Sequence, residues 1–201
     1  MTEEQLEVKL IDMLGSWRAV ADVARTTVHK EAGDASTEPS SLWKYRMILA
    51  EHSPIRTIQF RIKLLNVKSW VSVHLVRHKF GIEHWVRTQR SDRAGGNRDE
   101  ATQGTLIEHE FLANAQAIIT ISRKRLCGLA SPETRELWKE VVHMIGTVCP
   151  ELANACVPDC VYRGWCYEMK PCGFYASSEF VKRLNKYRTW DGVHINSLKK
   201  D

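Results

Sequence analysis

Residues 58–64 place an apolar side chain at every second position. The apolar members are Ile58, Phe60, Ile62 and Leu64, and the polar members between them are Gln59, Arg61 and Lys63. Since successive side chains of a strand point to opposite faces, this alternation predicts a β-strand with one buried face. The chain therefore combines at least one strand with stretches of helical periodicity.

Apolar residues recur at helical spacing in six other stretches. The predicted helices cover residues 2–25, 41–51, 68–79, 105–126, the stretch that starts at Ser131, and 178–187. Thr2 and Gln5 match a capping box for the first helix. His52-Ser53-Pro54 ends the second, because proline disfavours a helical residue before it. Residues 80–104 are polar and contain glycine, which predicts mostly loop.

The composition favours one globular domain over residues 1–201. A chain of 201 residues with 43% hydrophobic and 26% charged residues is long enough to bury a core. Its net charge of +5 suits an anionic ligand but is too small for a protein that coats DNA. We expect a cytoplasmic protein without membrane contact, because no apolar run has bilayer length and the first residues do not resemble a signal peptide.

Residues 77–98 carry an unusual density of cations. They are Arg77, Lys79, Arg87, Arg90, Arg93 and Arg98, joined by His78 and His84. Guanidinium groups match phosphate and carboxylate oxygens with two parallel hydrogen bonds. With Gly95-Gly96 at its end, the stretch predicts a site for a multiply charged phosphate ligand. The alternative is a solvated charged surface, which is what most charge runs form.

Three landmarks, in this order, resemble the flavin-dependent thymidylate synthases over roughly residues 10–148. The first is His52-Ser53-Pro54, where that family has a His/Thr/Ser-Pro turn before a strand. The second is Arg77-His78-Lys79, where the family has Arg-His-Arg at a helix end. The third begins at Asn114-Ala115-Gln116, where the family has an Asn-Ala-Arg helix, and continues to Arg125, Ala130, Glu133 and Arg135.

The central signature departs from the family pattern. Lysine replaces the second arginine, and eleven residues rather than seven separate Lys79 from Ser91. Residues 88–93, Thr-Gln-Arg-Ser-Asp-Arg, then correspond to the family's Asn-Glu-x-Ser-x-Arg, with an insertion of four residues. Gln89 stands where the family has glutamate, and an amide both donates and accepts hydrogen bonds.

The resemblance implies a fold, a reaction and an assembly. The fold would be α+β and similar to that of the thymidylate synthase-complementing proteins, with a central antiparallel sheet packed against long helices. The reaction would be methylation of dUMP at C5 to give dTMP. Methylenetetrahydrofolate would supply the carbon, and FAD reduced by NADPH would carry the reducing equivalents. The protein would be a homotetramer whose sites are shared between subunits.

The resemblance also assigns roles to individual residues. For FAD it suggests Ser53, Arg77, His78, Lys79, Asn114, Gln116 and Thr120. For the nucleotide it suggests His74, Gln89, Arg90, Ser91, Asp92, Arg93, Arg98 and Arg125. Arg125, Ser91 and Gln89 are the residues expected at the reacting pyrimidine. Simpler roles exist: His74 in the core, Ser53 and Asn114 bonded to backbone, and Arg125 as a helix-terminal cation. His84 and Arg87, in the insertion, are expected to be surface residues or loop anchors.

Five of the six cysteines follow residue 148, in a segment of about 149–175 that is predicted to be irregular. Cys156, Cys160, Cys166 and Cys172 have the composition of a four-thiolate zinc site, but their spacing matches no zinc ribbon. Reduced, buried thiols are the leading alternative, so the sequence leaves a structural zinc undecided.

Two other functions stay open. The insertion and Gln89 also suit a related flavin- and folate-dependent enzyme that hydroxymethylates dUMP or methylates a cytidine nucleotide such as dCMP. Alternatively, the basic stretch with Trp85 forms a non-catalytic nucleic-acid-binding module, in which the tryptophan stacks on a base. That third hypothesis is the weakest, because it explains neither Asn114 nor Arg125.

Overall fold

The computed structural model describes residues 5–31, 33, 37–95 and 97–195. Its strands are β1 (Glu7–Leu14), β2 (Gln59–Lys68), β3 (Ile82–Val86), β4 (Leu106–Asn114), β5 (Thr189–Trp190) and β6 (Val193–His194). Its α-helices are α1 (Trp17–Thr26), α2 (Ser41–Leu49), α3 (Ser69–Val76), α4 (Ser91–Ala94), α5 (Ala115–Arg125), α6 (Pro132–Gly146), α7 (Pro150–Ala155), α8 (Asp159–Arg163) and α9 (Ser178–Tyr187). No helix within these ranges is long and apolar enough to cross a bilayer.

Four strands form an antiparallel sheet in the order β1-β2-β4-β3. The alternation at 58–64 is confirmed: Phe60, Ile62 and Leu64 on β2 are fully buried. On the opposite face the ion pairs Arg61–Glu110 and Lys63–Glu108 cross from β2 to β4. One face of the sheet therefore carries the core, and α5 and α6 pack against it, where the rings of Phe111 and Trp138 stack 6.0 Å apart.

The single helix predicted over residues 2–25 is wrong. The structure has β1 followed by α1, and Gly15 and Ser16 separate them: Gly15 has a φ of +83°, and the Ser16 side chain caps α1 by accepting from the Ala19 N–H. A register shift between Leu10 and Asp12 interrupts the period of two in β1, so its apolar residues imitate helical spacing. Thr2 lies outside the described residues.

The helix predicted over 105–126 is wrong in its first half, which forms β4. Ile107, His109, Phe111 and Ala113 are the buried residues of that strand. A polar histidine in the buried register and an apolar Leu112 on the other face hid the alternation. The loop predicted over 80–104 also contains β3 and the short α4.

The other helices lie close to their predicted positions. The structure has α2, α3 and α9 within the predicted ranges, and α6 begins after Ser131, whose side chain accepts from the Thr134 N–H. The cysteine-rich segment is more regular than predicted, because α7 and α8 lie within it. Val157 and Val161 of this segment form a second, smaller apolar cluster with Phe180 of α9.

Candidate functional site

The loop of residues 77–81, between α3 and β3, is anchored to the start of α5. The Asn114 N–H donates to the Gly81 carbonyl at 2.8 Å. Gly81 has a φ of +72°, and a β-carbon there would lie 2.5 Å from Nδ2 of Asn114. Only glycine suits that position. The loop that carries the second landmark is therefore in direct contact with the first residue of the third.

Asn114 is also the N-cap of α5. Its Oδ1 accepts from the Ala117 N–H at 2.9 Å, so the backbone-bonding role expected for this side chain is present. The N-terminus of α5, an 11-residue helix, is consequently next to the loop that carries Arg77 and Lys79. Helix N-termini attract anions. This arrangement can receive a phosphate group beside Asn114.

Arg125 reaches from the other end of α5 to α3 and to the 77–81 loop. Its Nε donates to Nε2 of His78 at 2.9 Å, and its Nη2 donates to the His74 carbonyl at 2.5 Å. Burial and the neighbouring Arg77 lower the pKa of Arg125. An arginine remains charged at neutral pH even so. Its three remaining N–H groups are available to an acceptor on a ligand.

The histidines next to Arg125 are held in their neutral forms. Burial, Arg125 and His84 lower the pKa of His78 to about 4. Burial, Arg125 and Arg77 lower the pKa of His74, whose Nδ1 lies 3.0 Å from Oγ1 of Thr134. Because an arginine only donates, Nε2 of His78 must accept, so its proton is on Nδ1. The ring of His78 is thus a hydrogen-bond donor through Nδ1.

Glu51 joins the turn at His52-Ser53-Pro54 to α5. Its Oε2 accepts from Nε2 of Gln116 at 2.5 Å, and its Oε1 is paired with Arg123. Burial alone would raise the pKa of Glu51, but the hydrogen bonds from Arg123 and Gln116 outweigh it and the pKa is lowered. The Oε1 atom of Gln116 is buried and has no hydrogen-bond partner among the described residues. Such an acceptor is available to a ligand.

Ser53 and Thr120 lie near this junction. Ser53 begins the 3₁₀ turn that leads into β2. Thr120 stands one turn after Gln116 on α5 and donates to the Gln116 carbonyl at 2.9 Å. Glu51, the residue before the first landmark, therefore contacts the third landmark, and so does Gly81, two residues after the second.

A cavity of about 210 Å³ gathers part of the predicted nucleotide site. Arg87, Gln89 and Arg98 line it, and Nε2 of Gln89 is buried without a hydrogen-bond partner among the described residues. Ser91 closes the loop beside it, since its Oγ accepts from the Arg98 N–H at 3.1 Å. Arg87, expected to be a surface residue or loop anchor, is exposed but shares this cavity.

The other cations of the stretch differ in their contacts. Arg90 is engaged by Asp92, at 3.0 and 2.7 Å. Within the described part of the chain, no carboxylate lies within 4 Å of Arg77, Lys79 or Arg98. Arg93 is exposed on α4, and the cavity lining includes neither Arg93 nor Arg125. Within one chain, the residues bonded to Arg125, His74 and His78, do not line the cavity that contains Gln89.

Of the two roles predicted for His84, surface residue or loop anchor, the structure shows contacts of the second kind. His84 is half-buried on β3, where its ring contacts the His78 carbonyl and the ring of His109. His109 in turn contacts Ser72. Sequence reasoning missed both Ser72 and His109. The available signal was a histidine in the buried register of an alternating stretch, which a helical interpretation of residues 105–126 concealed.

The cysteines are arranged differently from the predicted set. Cys156 is fully buried in the main core, and Cys127 instead lines a cavity of about 20 Å³ with Cys160, Cys166 and Cys172. Burial raises the pKa of Cys160 to about 11, and the neighbouring Cys127 and Cys166 add to the shift. Across residues 5–31, 33, 37–95 and 97–195, no three His, Cys, Asp or Glu side chains are placed to hold a metal ion.

Comparison with known proteins shows the fold. No protein-family model and no curated protein matches this sequence. Among solved structures, the flavin-dependent thymidylate synthase ThyX from Helicobacter pylori, complexed with FAD and dUMP, is similar with a TM-score of 0.63 and 12% identity, over 75% of this chain and 99% of that one. The UMP/dUMP methylase PolB from Streptomyces cacaoi, bound with 5-Br dUMP, is similar with a TM-score of 0.62 and 12% identity, over 76% of this chain and 95% of that one.

These likenesses confirm the predicted α+β fold with its antiparallel sheet. At 12% identity they show the fold alone, since one fold hosts many functions.

Proposed function

We propose that this protein is an FAD-dependent methyltransferase that converts dUMP to dTMP with methylenetetrahydrofolate and NADPH. One observation carries the proposal: the segments that hold the three landmarks, from separate parts of the sequence, come into contact around α5. Gly81 bonds to Asn114, His78 bonds to Arg125, and Glu51 bonds to Gln116. A charged surface without a ligand does not require these contacts.

The residues around α5 fit a flavin dinucleotide. The loop that carries Arg77 and Lys79 reaches the N-terminus of α5 at Gly81, and Oε1 of Gln116 is a buried acceptor without a partner among the described residues. We assign Ser53, Arg77, His78, Lys79, Asn114, Gln116 and Thr120 to this cofactor. When bound, FAD supplies the reducing equivalents for the methylation. The chain's own part is to bind the pyrophosphate and to present Nδ1–H of His78.

The Gln89 cavity and the exposed cations fit a nucleoside monophosphate. We assign Gln89, Arg90, Ser91, Asp92, Arg93 and Arg98 to this substrate, with His74 and Arg125 completing the site. Arg125 is the residue best suited to offset negative charge on the pyrimidine oxygen, because its guanidinium is held on two sides and still has free N–H groups. Since the cavity lining does not include Arg125, we propose that the two parts meet across subunits of a homotetramer.

Gln89 favours a second candidate, a flavin- and folate-dependent enzyme that hydroxymethylates dUMP or acts on dCMP. Its buried amide nitrogen has no partner among the described residues, and an amide bonds either a 4-oxo or a 4-amino pyrimidine edge. Product analysis with dUMP and dCMP separates the two. Unmodified dTMP as the single product from dUMP excludes the second candidate, and a hydroxymethylated or cytidine product excludes the first.

The absorbance spectrum of the purified protein tests whether it binds a flavin, which both candidate functions require. We expect a flavin band that is released by denaturation and that shifts when dUMP is added. A colourless protein that binds no FAD on titration contradicts the proposal. Salt-dependent DNA binding in such a protein would instead support the nucleic-acid-binding hypothesis, with the exposed Trp85 as the stacking residue.

A further inference from the structure

A chain of three hydrogen bonds runs from α3 through the sheet to the 77–81 loop. Oγ of Ser72 lies 3.0 Å from Nδ1 of His109. Nε2 of His109 lies 2.9 Å from Nδ1 of His84. Nε2 of His84 lies 3.0 Å from the carbonyl oxygen of His78. The four residues belong to α3, β4, β3 and the loop between α3 and β3.

The Ser72 end of this hydrogen-bond network is shielded from water. His109 is 0% exposed and Ser72 is 3% exposed, while His84 is half-buried. A buried polar group that loses its partner retains the full cost of its desolvation. A break between Ser72 and His109 therefore leaves an unpaired polar atom inside the protein.

With one proton on each imidazole ring, the last bond sets the direction of all three hydrogen bonds. A carbonyl only accepts, so Nε2 of His84 carries a proton. In a neutral His84, Nδ1 then accepts from Nε2–H of His109, and Nδ1 of His109 accepts from the Ser72 hydroxyl. Burial, together with the nearby His84, lowers the pKa of His109 to about 4, which agrees with a neutral ring. Each bond thus has one donor and one acceptor.

Among the residues assigned to the flavin, this hydrogen-bond network contacts His78. His84 holds the main-chain carbonyl of His78, and Arg125 holds its ring. The loop is bonded again at its end, where Gly81 accepts from the Asn114 N–H. The backbone of His78 is consequently fixed independently of its ring, and both restraints are needed to aim Nδ1–H in one direction.

We propose that Ser72, His109 and His84 are positioning residues that fix the 77–81 loop, and with it His78, for the flavin reaction. They touch neither the Gln89 cavity nor the ring of His78. The inference rests on the proposed function for its kinetic consequence, but the restraint on the loop is a property of the protein itself. Losing it should lower FAD affinity and kcat and leave KM for dUMP unchanged.

Paired substitutions test this positioning role. His84→Phe removes both bonds, whereas His84→Gln keeps an N–H donor near the position of Nε2. His109→Phe and His109→Gln form a second pair, in which glutamine keeps the donor to His84. We expect each phenylalanine variant to lose about tenfold in FAD affinity and in kcat, with partial rescue by glutamine. His143→Gln, an exposed histidine on α6, is the matched control.

Two further measurements keep folding and function apart. Long-range ¹H–¹⁵N spectra should show Nε2–H on His84 and His109 and Nδ1–H on His78. Amide exchange of residues 77–81 should be faster in His84→Phe than in His84→Gln at equal global stability. If the wild-type protein binds no FAD, the proposed function fails while these two readouts still judge the positioning role. Equal exchange rates in the two variants, or Nδ1–H on His109, overturn the inference.

Discussion

Arg125 donates from Nε to Nε2 of His78 across 2.9 Å, and this bond ties the last turn of α5 to the loop that follows α3. A second bond from the same guanidinium, to the His74 carbonyl, fixes its plane. Two donors in a rigid fork are a property of arginine that lysine does not share. The simpler role for Arg125, a cation favoured by the helix C-terminus, requires neither bond.

Replacement of Arg125 is therefore expected to affect catalysis more than folding. For Arg125→Lys we expect kcat/KM for dUMP to fall by about 10²–10³, because a fixed donor at the pyrimidine oxygen is lost. Steady-state assays of the flavin-loaded protein measure the change, and thermal unfolding measures any loss of stability. Arg46→Gln, an exposed arginine on α2, serves as the control. Full activity in Arg125→Lys would show that the guanidinium does not act on the substrate.

The ion pair of Glu51 with Arg123 is expected to support the fold. Their side chains are 24% and 15% exposed, and the Arg123 guanidinium also lies 3.4 Å from the centre of the Tyr162 ring. Glu51→Gln leaves a half-buried cation without its counter-charge, so we expect a loss of about 2 kcal/mol in the free energy of unfolding, measured with urea. Glu136→Gln, which breaks the exposed pair with Lys139, should cost under about 0.5 kcal/mol. Equal effects in both variants would contradict this assignment.

Most helices were predictable because their signals are local. Ser131 with Pro132 marks the start of α6 within a few residues of sequence, and the structure confirms it. The boundary between β4 and α5 was not predictable in the same way. Apolar residues recur along the whole of residues 106–126, and only Asn114, as an N-cap, marks the change from a period of two to a period of 3.6.

In the candidate site, too, residues in local motifs were predictable and residues paired across the sheet were not. Arg77, His78, Asn114 and Arg125 could be predicted as candidates because they occur in motifs of neighbouring residues, and the structure bonds His78 to Arg125 and Gly81, in the same loop, to Asn114. The bond between Ser72 and His109 joins residues 37 positions apart, and that between His84 and His109 joins residues 25 apart. Such pairs depend on the strand register of the sheet. A sequence interpretation without β3 and β4 could not supply that register.

Acid is expected to destabilise the protein through its buried histidines. The pKa values of His78 and His109 are lowered from 6.5 to about 4, so the unfolded chain binds these protons more tightly than the folded protein. Their contribution to stability is complete above pH 6.5 and is lost as the pH falls from 6.5 to about 4. Because His78 is half-exposed, we expect the two to account for a loss on the order of 2 kcal/mol.

Urea unfolding at several pH values measures this loss. The upper part of the window, between about pH 6.5 and 5, is the informative one, because few carboxylates titrate there. His109→Gln should flatten the profile in that range, whereas His143→Gln should leave it unchanged. A wild-type free energy of unfolding that stays constant from about pH 7 to pH 5 would show that the buried histidines are not neutral in the folded protein.

Gly81→Ala is expected to disturb the junction between the 77–81 loop and α5. The substitution combines a φ of +72° with a β-carbon 2.5 Å from the Asn114 side chain. Gly173→Ala is the matched control, because Gly173 has a φ of +86° but no atom within 4 Å of the added carbon. We expect Gly173→Ala to cost about 1 kcal/mol of stability through backbone strain alone. Gly81→Ala should cost at least that much and also weaken FAD binding, measured by fluorescence titration. If both variants bind FAD like the wild type, the contact between Gly81 and Asn114 has no part in the cofactor site.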